Sequence, residues 1–204
     1  MGTEWVAVGL SRDLPAGVAM PALWQGRELA VWRSASGKLS AWNDRCPHRG
    51  MRLSHGFVRG ETLACIYHGW VYGTSGSCIH IPAHPDLVPP ATIKAETFLC
   101  VEAGGVIWVG AAGATDTPPE FAGYVPLRSV ATQADAAALA QASGLEQAAQ
   151  GLLGSTAAGG VCLILSTSQT KTTIHALAAK EADRVALSRW LDGVVRRAEE
   201  RVLA

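Results

Sequence analysis

Cys46-Pro47-His48-Arg49-Gly50 and, after sixteen residues beyond His48, Cys65-Ile66-Tyr67-His68-Gly69-Trp70 decide how this chain is read. Each Cys is followed by a His, two residues on in the first segment and three in the second. Thiolate and imidazole are the side chains that hold iron, zinc and iron–sulfur clusters. A lone Cys-x-His carries little weight. Two such pairs, each ending in Gly, carry a metal hypothesis.

Two thiolates plus two imidazoles form the ligand set of a Rieske [2Fe–2S] centre, where two His replace two Cys on one of the irons. On that chemistry Cys46 and Cys65 bind one iron, His48 and His68 bind the other, and each loop gives one ligand to each iron. Cys₂His₂ also suits tetrahedral zinc. Classical zinc fingers place their two Cys together and their two His together. Here each Cys travels with a His, and that order favours the cluster.

The stretch resembles the Rieske domain of ring-hydroxylating and O-demethylating oxygenases. The resemblance extends through Arg49-Gly50, Leu53-Ser54-His55-Gly56, Tyr67-His68-Gly69-Trp70 and Cys78-Ile79-His80-Ile81-Pro82-Ala83, and covers about residues 1–112. It implies a mainly β N-terminal domain, an antiparallel β sandwich with cluster-binding loops. Rieske proteins of respiratory membranes carry an extra Cys in each ligand loop; the equivalent positions here hold Met51 and Tyr67, which points to the oxygenase type.

The totals agree with a redox protein that is neither membrane-spanning nor nucleic-acid-binding. Of 204 residues 49% are hydrophobic, enough to bury a core. Lys plus Arg and Asp plus Glu both number 17, so no basic excess invites nucleic acid. Up to Trp70 eight Arg/Lys meet five Asp/Glu, a mild basic bias. Beyond the two candidate ligands, Cys78, Cys100 and Cys162 make an odd set without disulfide-framework spacing. This suits the cytoplasm. No apolar run reaches membrane-span length, and Met1 to Trp5 lacks a signal-peptide pattern.

Along the chain, short apolar-bearing runs at Glu4–Leu10, Arg27–Arg33, Leu39–Asn43, Thr62–Ile66, Thr92–Ala103 and Val106–Val109 read as strands between Gly/Pro turns. Most of the tryptophans in this half read as core. Trp70, beside the second loop, is read either as a cover over the cluster or as part of an interface. His55, His80 and His84 fall outside the ligand pattern. Small residues and two prolines from Ala111 to Pro119 mark a linker, taken as 113–133 between a Rieske domain at 1–112 and a small α+β module at 134–204. In that module Ala134–Gln150 reads as a helix interrupted at Gly144, Val161–Ser166 and Lys171–Leu177 as a hairpin, and Glu181–Leu203 as an amphipathic helix with Leu187, Trp190, Leu191, Val194, Ala198 and Val202 on one face.

The resembled oxygenases follow this domain with a large catalytic domain that holds a mononuclear iron on two His and one carboxylate. Beyond His84 this sequence has one His, His175. The module at 134–204 is similar to the end of that helix-grip domain, as a remnant with its middle lost. The expected role is therefore an electron-transfer component of a multicomponent oxygenase. It takes electrons from a reductase and passes them to the mononuclear iron of a separate oxygenase subunit, within a hetero-oligomer. The alternative is a self-contained oxygenase using His175, His80 or His84, and a carboxylate such as Asp183. A cluster-based redox sensor is the third class.

Overall fold

The structure, a computed structural model, describes residues 5–111, 113–149, 151–155, 160–168 and 171–202. In chain order the strands are β1 (Trp5–Leu10), β2 (Val18–Trp24), β3 (Arg27–Arg33), β4 (Leu39–Asn43), β5 (Phe57–Arg59), β6 (Thr62–Ala64), β7 (Val71–Gly73), β8 (Cys78–His80), β9 (Thr97–Ala103), β10 (Val106–Gly110), β11 (Tyr124–Thr132), β12 (Gln147–Ala149), β13 (Leu152–Ser155), β14 (Val161–Thr167) and β15 (Thr172–Ala179). Helix α1 (Ala136–Ser143) precedes β12, and α2 (Arg184–Val202) follows β15. The chain is mainly β with an α+β C-terminal part. Among the described residues no helix is long and apolar enough to cross a membrane.

The chain divides into two compact units. One holds residues 12–102 and 109–115; the other holds the segment ending at Ser11, residues 103–108 and the chain from Asp116 onward. The compact units do not part at the expected boundary of 112, since the segment ending at Ser11 groups with residues 103–108 and the chain from Asp116 onward. The expected linker 113–133 also gives way at Tyr124 to β11, a strand of nine residues paired antiparallel with β15. The prolines that mark the linker, Pro118 and Pro119, precede this strand; its own Pro126 is tolerated because β11 is an edge strand, and it sits at a register shift in that ladder.

In the first unit β2, β3 and β4 form an antiparallel ladder, with Val31 opposite Met20 on one side and Ala41 on the other. A second sheet is the meander β5-β6-β7-β8. Trp32 and Trp42 are fully buried and meet edge to face, their ring centroids 5.0 Å apart. Trp42 in turn meets Tyr72 of the meander at 6.3 Å. Leu53, Leu63, Cys46 and Cys65 complete this core. The aromatic centre therefore runs directly to the sulfurs of the two candidate Cys.

In the second unit the sheet order is β11-β15-β14-β13-β12. One face carries Leu163, Leu165, Ile174 and Ala176, packed with Leu139 of α1 and Leu191, Val194 and Ala198 of α2. Trp190 and Leu187 are partly buried against that core. Helix α1 is shorter than the Ala-rich run suggested. Asp135 caps it by accepting from Ala138 N, and Gly144 closes it in the left-handed conformation at φ 67°. The chain then becomes strand β12 where helix had been expected; Gln150 lies outside the described residues. Helix α2 is capped by Asp183, whose carboxylate accepts from Val185 N and Ala186 N.

Candidate metal centre

Two short loops of the same build carry the four candidate ligands. In the first, Cys46 N donates to Met51 O at 2.8 Å and Gly50 N donates back to Cys46 O at 2.8 Å. In the second, Cys65 N donates to Trp70 O and Gly69 N to Cys65 O, both at 2.9 Å. Each loop thus closes between a Cys and the residue five later. The turn needs a left-handed residue four after the Cys, and Gly50 and Gly69 supply it at φ 72° and 68°. The His positions differ by one residue within this common frame.

Folding brings the loops together. The His48 and His68 rings are 4.6 Å apart, and Cys46 and Cys65 are both buried, at 4% and 2% exposure. His68 is exposed and His48 half-buried. The sulfurs therefore lie inward and the imidazoles outward. Burial pushes the Cys65 thiol up, and the Tyr67 and His68 backbone N–H groups oppose that by donating to its sulfur. Such donors favour a thiolate and tune a cluster's potential. His48 Nδ1 is shut from solvent with no hydrogen-bond partner. A buried imidazole nitrogen without a partner is costly unless it has a ligand. Burial also lowers the His48 pKa, with smaller contributions from His68 and Arg49. Two inward thiols with backbone donors, two adjacent imidazoles and an orphaned Nδ1 fit a two-iron cluster.

Three further groups brace the site. Tyr72 Oη lies 3.1 Å from Cys46 Sγ in the buried core. Burial, then Cys46, raises the phenol pKa, so it stays protonated as a donor. Trp70 stacks on His48 at 4.1 Å with planes 7° apart, so it covers one face of that ring. Asp44 is fully buried and accepts from Ser54 N and Ser54 Oγ, both at 2.7 Å, which ties the start of the first loop to its end. Arg52 reaches Asp44 at 3.9 Å and also pairs with Glu28, which pairs with Arg45. Tyr72 and Asp44 escaped the sequence reading. For Tyr72 the signal was available, since strand alternation puts it on the same side as Trp70. Asp44 gave none, because its partner Ser54 is ten residues away.

The other histidines lie apart from this set. His55, His80 and His84 are exposed. His175, on β15, is 2% exposed, and its Nδ1 is 2.9 Å from Ser129 Oγ. Its Nε2 finds no hydrogen-bond partner of good geometry. The nearby Ala7 carbonyl already accepts from Ser166 Oγ at 2.5 Å. All five cysteines are free.

Residues 4–97 match the family described as Rieske [2Fe-2S] domain. This half of the chain is a Rieske [2Fe–2S] domain. Its cofactor is accordingly a Rieske-type [2Fe–2S] cluster. Among curated proteins, Oxidoreductase NdmD of Pseudomonas putida is 42% identical over 106 residues, which is 52% of this chain and 18% of that protein. The 4beta-methylsterol monooxygenase of Methylococcus capsulatus is 38% identical over 113 residues, 53% of this chain and 30% of that protein. The chain thus spans between about a fifth and a third of these relatives' length. Among solved structures, Pseudomonas putida CBB5 NdmA superposes with a TM-score of 0.76 at 19% identity, over 97% of this chain and 80% of that chain. That likeness concerns the fold, and it extends beyond the Rieske domain into the C-terminal part.

Proposed function

We propose that Cys46 and Cys65 hold one iron of the cluster and His48 and His68 the other, and that this chain is an electron-transfer component serving the mononuclear iron of a separate oxygenase chain. When bound, such a cluster supplies a one-electron couple. The residues here would keep that couple dry on the sulfur side and open on the imidazole side, so electrons enter and leave past His48 and His68. A reductase is the donor in this scheme, and the free thiols suit a reducing compartment such as the cytoplasm.

The observation that carries the reading is the state of His175. It is the sole imidazole after His84 in this sequence, and it is sealed within a sheet and engaged by Ser129. An oxygen-activating iron needs imidazole and carboxylate ligands with open positions. Asp183, the carboxylate considered for a self-contained oxygenase, caps α2. The purified chain should contain two irons and two acid-labile sulfides and be reversibly reducible, yet form no product from O₂. It should support turnover when mixed with a triad-bearing oxygenase chain. A reproducible third iron with product formed by the lone chain would replace this reading with the oxygenase one.

Tyr72 gives a finer check. A phenol donating to Cys46 sulfur stabilises the more negative, reduced state. Removing a hydrogen bond whose strength differs by about 1 kcal/mol between redox states moves a one-electron potential by about 40 mV. Tyr72→Phe should therefore lower the midpoint by about that much in protein-film voltammetry. An unchanged midpoint would mean that Tyr72 only fills space.

A further inference from the structure

We infer that the short turn Leu53–His55 is a spacer that sets the distance between the two ligand loops, with Asp44, Ser54 and Gly56 as its positioning residues. This rests on the ligand assignment above and names what holds those ligands at one separation.

Side chains join the spacer to the first loop. Asp44, two residues before Cys46, is fully buried. Its carboxylate accepts from Ser54 N and Ser54 Oγ, both at 2.7 Å, and its own N donates to Glu28 O at 3.0 Å. Ser54 and Leu53 are buried as well. Arg52 approaches the same carboxylate at 3.9 Å. Two short bonds to an ionised acceptor, made away from water, are strong and rigid. The turn cannot drift from the start of the first loop without breaking both.

A missing side chain joins the spacer to the second loop. Gly56 follows the turn, and its N donates to Leu53 O at 2.9 Å. Its backbone angles, φ −75° and ψ −179°, are open to any residue. Conformation therefore does not demand glycine here, but space does. A Cβ at this position would lie 2.5 Å from Ala64 O, 2.9 Å from Leu53 O and 3.2 Å from Leu63 Cδ1. The two nearest are backbone atoms, which cannot swing aside as a flexible side chain can. Ala64 immediately precedes Cys65 and faces Phe57 in the β5–β6 ladder. A methyl at residue 56 would push the strand that delivers Cys65 and His68 away from the turn tied to the loop of Cys46 and His48.

Each ligand loop closes on itself, between Cys46 and Met51 and between Cys65 and Trp70. Such closures shape a loop and leave its distance from the other loop open. The spacer fixes that distance, because it touches the approach to both cysteines. Relief of a 2.5 Å clash requires a contact near 3.4 Å, whereas metal–ligand bonds tolerate about 0.2 Å. A small change at the spacer is therefore felt at the metal.

The test uses the holoprotein of each variant, compared at equal iron content. Release of iron to EDTA reads how firmly the ligands hold. Electron paramagnetic resonance of the reduced protein, with its imidazole nitrogen couplings, reads their geometry. Asp44→Ala and Gly56→Ala should each speed iron release about tenfold, broaden the spectrum and alter the nitrogen couplings. Asp44→Asn keeps an acceptor for Ser54 N and sets an amide donor against Ser54 Oγ, so release should return to within about threefold of wild type. Gly73→Ala, in the same meander, adds a methyl that meets only Ile79 Cγ2 at 3.6 Å and should change nothing. Should an alanine variant fail to fold, Ser54→Ala decides, since it removes the hydroxyl tie and keeps the backbone one. A broadened spectrum with release about threefold faster supports the spacer, and wild-type behaviour overturns it. A residue that only stabilises the domain would lower the melting temperature and leave the spectrum of loaded chains unaltered. That result in Asp44→Ala and Gly56→Ala overturns the spacer and leaves the ligand assignment intact. A wild-type holoprotein without couplings from two imidazoles overturns the assignment itself.

Discussion

Replacing His68 by cysteine lowers the cluster's midpoint potential by about 250 mV or more, or empties the site. The range follows from the two ligand classes: Rieske centres lie between about −150 and +300 mV and all-Cys plant-type clusters near about −400 mV. A neutral imidazole becomes an anionic thiolate, and the added negative charge stabilises ferric over ferrous iron. The second loop can accept the change, since its backbone closure runs through Cys65, Gly69 and Trp70 rather than through the His68 side chain. Cys65→Ser goes further, because it removes a buried sulfur that receives two backbone N–H donors; iron and sulfide should both be lost. Titration followed by electron paramagnetic resonance reads both variants. A potential that rises in His68→Cys, or a full iron complement with an unaltered spectrum in Cys65→Ser, would remove these residues from the ligand set.

The second large effect lies in the other unit and is driven by acid. Burial lowers the His175 pKa to about 4, with the nearby Ala7 carbonyl opposing it slightly. An unfolded chain would protonate the same ring at about 6.5. Between those values the unfolded state binds the extra proton, so stability falls as pH drops from about 6.5 towards 4. The loss is about 3 kcal/mol in all. Urea unfolding at pH 7 and pH 4.5 should show it. His175→Leu removes the titrating ring, so the wild-type minus variant difference isolates this term from acid loss of the cluster, which both share. Parallel pH profiles for the two proteins would show that His175 titrates freely.

The sequence was most legible where chemistry or period speaks locally. The ladder at Arg27–Arg33 and Leu39–Asn43 has the expected bounds, because two apolar-bearing runs flank a Ser/Gly turn. Trp5, Trp32, Trp42 and Trp108 are core, as their place in the expected strands implies, and Trp24, outside those strands, is core as well. Trp70 was left between two roles, and the structure shows it covering His48. Strand β2 is not among the expected strands; Val18–Trp24 is apolar throughout, without the alternation that marks a half-buried strand, and contains Pro21. Strands β11 and β12 were read as linker and helix, because proline and alanine content was weighed without knowledge of the neighbouring strand. Membership of β1 in the C-terminal unit is a long-range fact. Ser166 donates to Ala7 across 159 positions, and no local pattern encodes such a partner.

That last contact has a consequence during synthesis. β1 leaves the ribosome before β14, with Trp5, Ala7, Val8 and Leu10 destined for burial. The β14 segment that supplies Ser166 appears 159 residues later. At about 5–20 residues per second, the nascent strand waits roughly 10–30 s for that surface. Until its ladder partner β10 follows it, this apolar strand is exposed to any other strand edge in reach. Slow translation should therefore lower the soluble yield of this protein, and early binding by a holdase chaperone should restore it.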